Sequence, residues 1–379
     1  MIKLTAKTNT MNTHSTSVTR REALKAVAVT ALGIGITGRL AAQDTHVAKP
    51  VPAPAFPKPT LHVYPDYGWL RGFSIIPSWA ARIEDAWWFY DGARMREEVA
   101  LAKQVHANCI RLWIEYTAWM RDPEKVAADF MDAVAAIAGN GMKVMPCLFN
   151  RWHDAQFDYG GTYVENLKPG WKPPLEYVKA IVTPLAKDDR ILIWDLCNEP
   201  AAHDLNSDPN KREFAWLSEI AATVRGCGVQ QPITIGTMNG LVGRTGNIET
   251  YAPLVDVLCA HPYAHDRDGL EKLIAAYHAL RQTQAKPMLV NECIPGSLND
   301  ATRGEVTRYY SEMLSAAGFG WMGWALREGK AISTRRDRYD GNGINKEGFH
   351  PFFTREGKLR GGLEFLTEKP KLRAPWEKA

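Results

Sequence analysis

Ile191-Leu-Ile-Trp-Asp-Leu-Cys-Asn198-Glu199-Pro200 is a short apolar run that stops at an Asn-Glu pair, and Pro287-Met-Leu-Val-Asn291-Glu292 does the same. The dipeptide occurs nowhere else in the chain. Apolar runs of this length, bounded by turn residues, have the pattern of strands buried on both faces of a parallel sheet. Each glutamate therefore falls where the C-terminal end of a strand passes into a loop. In a (β/α)8 barrel that rim carries the reacting groups. Cleavage of a glycosidic bond needs two carboxyl groups placed in this way, one to protonate the departing oxygen and one to attack or stabilise the sugar cation. Glu199 and Glu292 are the candidate catalytic pair.

The rest of the chain alternates in the way such a barrel requires. Strands are expected at Leu70–Ile76, Cys109–Trp113, Lys143–Phe149, Ile191–Leu196, Ile233–Ile235, Val255–Ala260, Met288–Val290 and Trp321–Ala325. Helices are expected at Ala93–His106, Pro123–Ile137, Leu175–Ala186, Lys211–Val224, Leu270–Gln284 and Glu305–Ala317, with a closing helix near Lys358–Phe365. Helices between most strands leave a barrel or a doubly wound sheet. Eight strands, with polar candidates on several strand ends instead of at one switch point, favour the (β/α)8 TIM barrel. No glycine-rich phosphate loop follows a strand, because the spaced glycines of Gly33–Gly38 lie outside the alternating region and Gly160-Gly161 reads as a plain loop.

Composition agrees with one large domain. The 379 residues are 45% hydrophobic and 23% charged, enough for a sizeable core. Residues 1–42 have the form of an export signal: Thr19-Arg20-Arg21-Glu22-Ala23-Leu24-Lys25, an uncharged stretch from Ala26 to Gly38, and Ala41-Ala42 as a cleavage point. The uncharged stretch is shorter than the roughly 20 residues of a membrane span, so no stable span is expected. Six of the chain's basic residues and one acidic residue lie in this segment, so its removal takes the formal charge from +4 to −1. A nearly neutral body argues against nucleic acid as a partner. Residues 43–68 include Pro50-Val-Pro-Ala-Pro-Ala-Phe-Pro-Lys-Pro59, read as a stiff extended linker, and 69–379 as the catalytic domain with a C-terminal extension. Cys109, Cys147, Cys197, Cys259 and Cys293 fall in or beside expected strands, as packed thiols would, and have no zinc-ligand spacing. No metal and no cofactor is called for.

Asn198-Glu199-Pro200 after Trp194 and Asp195, with a second strand-end glutamate, resembles the fourth- and seventh-strand motifs of clan A glycoside hydrolases, especially the cellulase-like family five, over about residues 69–330. The resemblance implies a retaining enzyme acting on a β-linked oligo- or polysaccharide such as a β-glucan, mannan or xylan. By the same resemblance Glu292 is the nucleophile and Glu199 the acid and base. Arg111 would keep Glu292 ionised, Asn198 would bind the sugar 2-hydroxyl, Tyr263 would bond the nucleophile, and His261 would line the subsite. Trp324 would floor that subsite. On the third strand either Asn150 or His153 fills a place that relatives give to histidine. Thirteen tryptophans offer sugar platforms, with Trp79, Trp87, Trp88, Trp113 and Trp119 as candidates beside strands one and two. The rival readings are a transglycosylase using the same pair and a non-catalytic carbohydrate-binding barrel.

Arg20 and Arg21 open the only signal-like segment, so the expected destination is the periplasm or the medium by twin-arginine export. Replacing both by lysine should leave the protein in the cytoplasm. Wild-type export and processing of that double variant, followed by cell fractionation, would reject the assignment.

Overall fold

The computed structural model describes residues 57–151, 172–238, 246–331 and 348–377. The export signal, most of the proline-rich stretch and His153 lie outside them. Eight parallel strands run in the order β7-β6-β5-β4-β3-β2-β1-β8. They are β1 Arg71–Ile75, β2 Cys109–Trp113, β3 Lys143–Cys147, β4 Trp194–Asn198, β5 Ile233–Met238, β6 Leu258–His261, β7 Met288–Val290 and β8 Trp321–Trp324. Backbone bonds from Cys293 N–H to Met322 O (2.8 Å) and from Trp324 N–H to Cys293 O (3.1 Å) join the β7 end to β8 and close the cylinder. The fold is a (β/α)8 TIM barrel.

Side chains alternate along each strand. Ile110, Leu112, Val144, Leu258, Ala260, Met288 and Val290 face outward into the main core shared with the helices. Cys109, Met145, Cys259, Leu289 and Met322 form a second cluster inside the barrel. Two residues further up their strands come Arg111, Cys147, His261, Asn291 and Trp324. The barrel interior is thus apolar low down and polar where the strands end, which is where a TIM barrel does chemistry.

The helices are α1 Ile83–Trp88, α2 Gly92–Gln104, α3 Tyr116–Arg121, α4 Pro123–Ala138, α5 Leu175–Val182, α6 Asp208–Gly226, α7 Gly246–Tyr251, α8 Arg267–Gln284 and α9 Asp300–Ala316. The longer ones start where local chemistry dictates. Asp91, Asp122, Ser207, Asp266 and Asn299 each accept a backbone N–H from the first turn. The short α1, α3 and α7 were not legible in the sequence, since six residues are too few for a helical period to declare itself.

Two segments differ from the sequence reading. Lys358–Phe365 is not a closing helix; the only helical turn there is the 3-10 turn Glu364–Thr367, because Gly361 and Gly362 (φ +82°) interrupt the pattern. Residues 60–68, read as linker, belong to the barrel. Thr60 and Leu61 N–H both bond Gln230 O, and Tyr67 is fully buried in the barrel's second cluster. Trp69 packs edge-on to both Tyr64 and Trp376, and Tyr64 lies tilted against Trp376, clasping the two termini of the domain together.

The C-terminal segment is fastened to the loops of the last strands by Arg303 of α9. Its guanidinium donates to Pro295 O (2.7 Å), Trp324 O (3.1 Å) and His350 O and lies over the Phe352 ring (4.6 Å). Burial pushes its pKa down to about 9. Next to it Gly304 meets Gly362 so closely that an added Cβ would stand 2.7 Å from the Gly362 carbonyl oxygen. Neither backbone can yield cheaply. Gly304→Ala should therefore destabilise the domain by about 1–3 kcal/mol in urea titrations, and an unchanged midpoint would show that this contact does not hold the extension in place.

Candidate active site

Arg111 stands at the centre of the mouth, fully buried on β2. Its Nε donates to Asp195 Oδ2 (2.8 Å), its Nη1 to Glu292 Oε2 (2.7 Å), and its Nη2 to Asn198 Oδ1 (2.8 Å). Asp195 and Asn198 are three apart on β4, so a regular strand would send them to opposite faces. A bulge resolves this: Asp195 pairs with Thr234 while Asn198 pairs with Gly236, three residues spanning two. Both side chains therefore turn inward onto Arg111. Burial by itself disfavours the guanidinium charge, but Asp195 and Glu292 beside it raise its pKa further above the usual range.

Glu199 follows the bulge in the left-handed region (φ +52°), with its N–H on Gly236 O at 2.7 Å. Such a conformation is costly for glutamate and needs support from its surroundings. The support comes from the next residues. Ala201 N–H donates to Glu213 Oε1 of α6 (2.9 Å), Ala202 N–H donates to Glu213 Oε2, and Asn247 of α7 donates to the carbonyls of Pro200 (3.2 Å) and Ala202 (2.9 Å).

Glu292 has both oxygens engaged, Oε2 by Arg111 and Oε1 by the Tyr263 hydroxyl (3.0 Å). Burial raises its pKa above the ordinary carboxylate range; His261, Arg111 and the Tyr263 bond pull it back in part, and Glu199 adds to the rise. Arg111, expected to keep Glu292 ionised, thus acts against a burial effect larger than its own. Burial, and then Glu292, keep the Tyr263 phenol well above its usual value, a donor throughout.

His261 is the residue expected to line the subsite. It is fully buried, with Nδ1 2.7 Å from Glu199 Oε1 and Nε2 2.8 Å from Asn291 Oδ1. Burial lowers its pKa, but Glu292 and the bond to Glu199 outweigh this and leave the ring more basic than usual. Among the described residues, Glu199, His261 and Glu292 are the one set of acidic, His or Cys side chains whose ligand-type atoms all lie within 4.8 Å of one another. Both ring nitrogens of His261 are engaged, by Glu199 and by Asn291, while Glu292 is held by Arg111 and Tyr263.

Of the two third-strand candidates, Asn150 lies beside the site, where its Oδ1 accepts from Asn198 Nδ2 at 2.8 Å. His153, the alternative, lies outside the described residues. Trp324 is 8% exposed, with its ring centroid 4.8 Å from that of Trp113. Of the other tryptophans, Trp87 is core, its indole N–H on Trp113 O (3.0 Å). Trp79 and Trp113 are also buried, and Trp88 and Trp119 are half-buried. The sequence reading passed over Asp195, Asn291, Ser74 and Gly236. A polar residue inside an otherwise apolar run was the available signal for Asp195 and Asn291, and it was spent on the glutamates.

The profile of the family Cellulase (glycosyl hydrolase family 5) matches residues 71–330. The chain belongs to glycosyl hydrolase family 5. No curated protein sequence matches it at a significant level. Among solved structures the family 5 barrel is similar to an exo-β-1,4-mannosidase from Opitutaceae bacterium strain TAV5, with a TM-score of 0.60 and 16% identity over 79% of this chain and 58% of that one. It is similar also to a GH5_18 enzyme from Streptomyces cattleya in complex with GlcNAc, with a TM-score of 0.61 and 13% identity over 80% of this chain and 79% of the other. A third likeness is to a GH5_18 enzyme from Bifidobacterium longum subsp. longum in complex with Manβ1-4GlcNAc, with a TM-score of 0.61 and 15% identity over 79% and 77%. The chain thus spans 58% of the length of the Opitutaceae mannosidase, and identities this low carry the likeness of fold.

The raised pKa of Glu292 has a stability consequence whose sign is fixed. The folded state holds the Glu292 proton more tightly than the unfolded chain does, so this group's contribution is full below the ordinary carboxylate range and is lost as pH rises toward the folded value. Glu292→Gln should therefore melt higher than wild type at pH 7, with the gap closing near pH 4. Calorimetry showing the variant less stable at pH 7 would mean that the bond from Arg111 outweighs the burial of the charge.

Proposed function

We propose that this family 5 protein hydrolyses a β-linked oligo- or polysaccharide with retention of configuration. The observation that carries the reading is the carboxylate pair: Glu199 at the end of β4 and Glu292 just past β7 each offer an oxygen within 4.8 Å of the other. Retaining glycosidases hold their carboxyl groups about 5–5.5 Å apart, whereas inversion needs roughly 6.5–9.5 Å to admit a water.

In the first step a Glu292 oxygen attacks the anomeric carbon as the bond to the leaving oxygen breaks, and that oxygen takes the proton of Glu199. Arg111 and Tyr263 orient the attacking carboxylate. In the second step Glu199 takes a proton from water, the water oxygen bonds the anomeric carbon, and Glu292 leaves as a carboxylate. Asn198 gives its Oδ1 to Arg111 and one amide hydrogen to Asn150, leaving its second hydrogen for the sugar 2-hydroxyl. Trp324 offers a ring for the apolar face of the sugar held there. Nothing in the scheme calls for a cofactor or a nucleic acid, and among the described residues no helix is long and apolar enough to cross a membrane. Twin-arginine export to the periplasm or beyond belongs to the same proposal.

β-Mannosides, with cellulose- and xylan-derived oligosaccharides beside them, are the first substrates to test. Glu292→Ala should abolish turnover of all of them. Glu199→Ala should spare the first step for dinitrophenyl glycosides, which need little protonation, and azide should then restore the second. Proton NMR in the first minutes of wild-type hydrolysis should show the β-anomer; early α-anomer would replace retention by inversion. A glycosylated acceptor as the dominant product would make the enzyme a transglycosylase.

A further inference from the structure

We propose that Asn291 and Asp195 are positioning residues that fix the tautomer of His261 and so hold a single proton between His261 and Glu199. The inference rests on the reading of Glu199 as acid and base. Its starting point is Asp195, whose Oδ2 accepts from Arg111 Nε (2.8 Å) and from Asn291 Nδ2 (2.9 Å) and whose Oδ1 accepts from Gly236 N–H (3.0 Å). A carboxylate has no hydrogen to give, so the Asn291 amide must turn its nitrogen to Asp195 and its oxygen away. That oxygen lies 2.8 Å from His261 Nε2. An amide oxygen only accepts, so Nε2 carries a hydrogen.

Nδ1, 2.7 Å from Glu199 Oε1, is then the one ring atom that can gain or lose a proton. The pair has two forms with that proton present: a carboxylic acid donating to the neutral ring, or a carboxylate accepting from the imidazolium. When the proton leaves, a neutral ring whose hydrogen is pinned on Nε2 turns a lone pair toward the Glu199 carboxylate, two acceptors at hydrogen-bond distance. The pinned tautomer thus makes the proton harder to remove and extends the protonated state of the pair to higher pH. Freed from Asn291, the ring could carry its hydrogen on Nδ1 and donate to the carboxylate, which stabilises the deprotonated state.

The other groups around His261 do not make this distinction. Glu292 from β7 and Glu199 favour a charged ring and Arg111 from β2 opposes it, but the two neutral tautomers carry the same charge. Tyr263 is engaged with Glu292, Ser74 of β1 donates to Asn291 O (2.8 Å), and Cys147 of β3 faces Arg111 (3.6 Å). β5 contributes only Gly236, where a Cβ would stand 2.6 Å from His261 Nε2 and 3.2 Å from Asn291 Oδ1. The relay has a space kept clear for it.

Two-bond proton–nitrogen NMR spectra of the unaltered protein should show the His261 hydrogen on Nε2 wherever the ring is neutral. This holds whether or not any glycoside is turned over, so it judges the relay apart from the hydrolase reading. In Asn291→Leu the basic limb of kcat/KM for an aryl glycoside with a poor leaving group should move down by about one pH unit, near the worth of one charge-assisted hydrogen bond. Formation of the glycosyl-enzyme from a dinitrophenyl glycoside, which needs little protonation, should fall less in this variant than turnover of the poor leaving group, whereas a merely loosened site would lower both equally. Hydrogen on Nδ1 in the wild type, or a basic limb left in place in the variant, would overturn the proposal.

Discussion

The site hangs on one buried cation. Arg111 of β2 brings together Asp195 and Asn198 of β4 and Glu292 from the end of β7, and none of these could remain polar in the barrel interior without a partner. Its planar guanidinium reaches these acceptors from three different nitrogens, a spread that the single ammonium nitrogen of a lysine does not have. The cost of burying a guanidinium is offset by two carboxylates close by, so the cation and the anions each make the other tolerable. An apolar layer in its place would be packed at less penalty.

Around that centre the two glutamates are supported in different ways. Glu292 is restrained through its side chain by Arg111 and Tyr263, as the nucleophile proposed above requires. Glu199 is restrained through its backbone: a bulge, a left-handed φ, and a loop held by Glu213 and Asn247. Its side chain meets His261 Nδ1 through Oε1. Two carboxyl groups of the same type are thus made unlike by what touches them.

The C-terminal extension belongs to the same design. Arg303 ties the loops after β7 and β8 to the segment around His350, so the end of the chain braces the walls beside Glu292 and Trp324. Burial beside Arg303 pushes the His350 imidazole down to about 3, so it stays neutral and adds no charge to the wall.

The sequence by itself determined the strands and the pair. Eight apolar runs of the right length, separated by helical periods, have few ways to bury themselves, and each of the eight appears in the barrel. Strand-end glutamates were legible because an acid that closes a buried strand must lie on the rim. Tertiary structure alone decided what the neighbours do. A two-residue alternation cannot foretell the bulge that turns both Asp195 and Asn198 onto Arg111. Nor can it show that His261 sits between Glu199 and Asn291, because hydrogen-bond partners follow from distances between strands far apart in the chain. The two Asn-Glu pairs read alike as text, yet Asn198 braces the arginine and Asn291 orients the histidine, a difference made only by the strand that each one faces across the barrel.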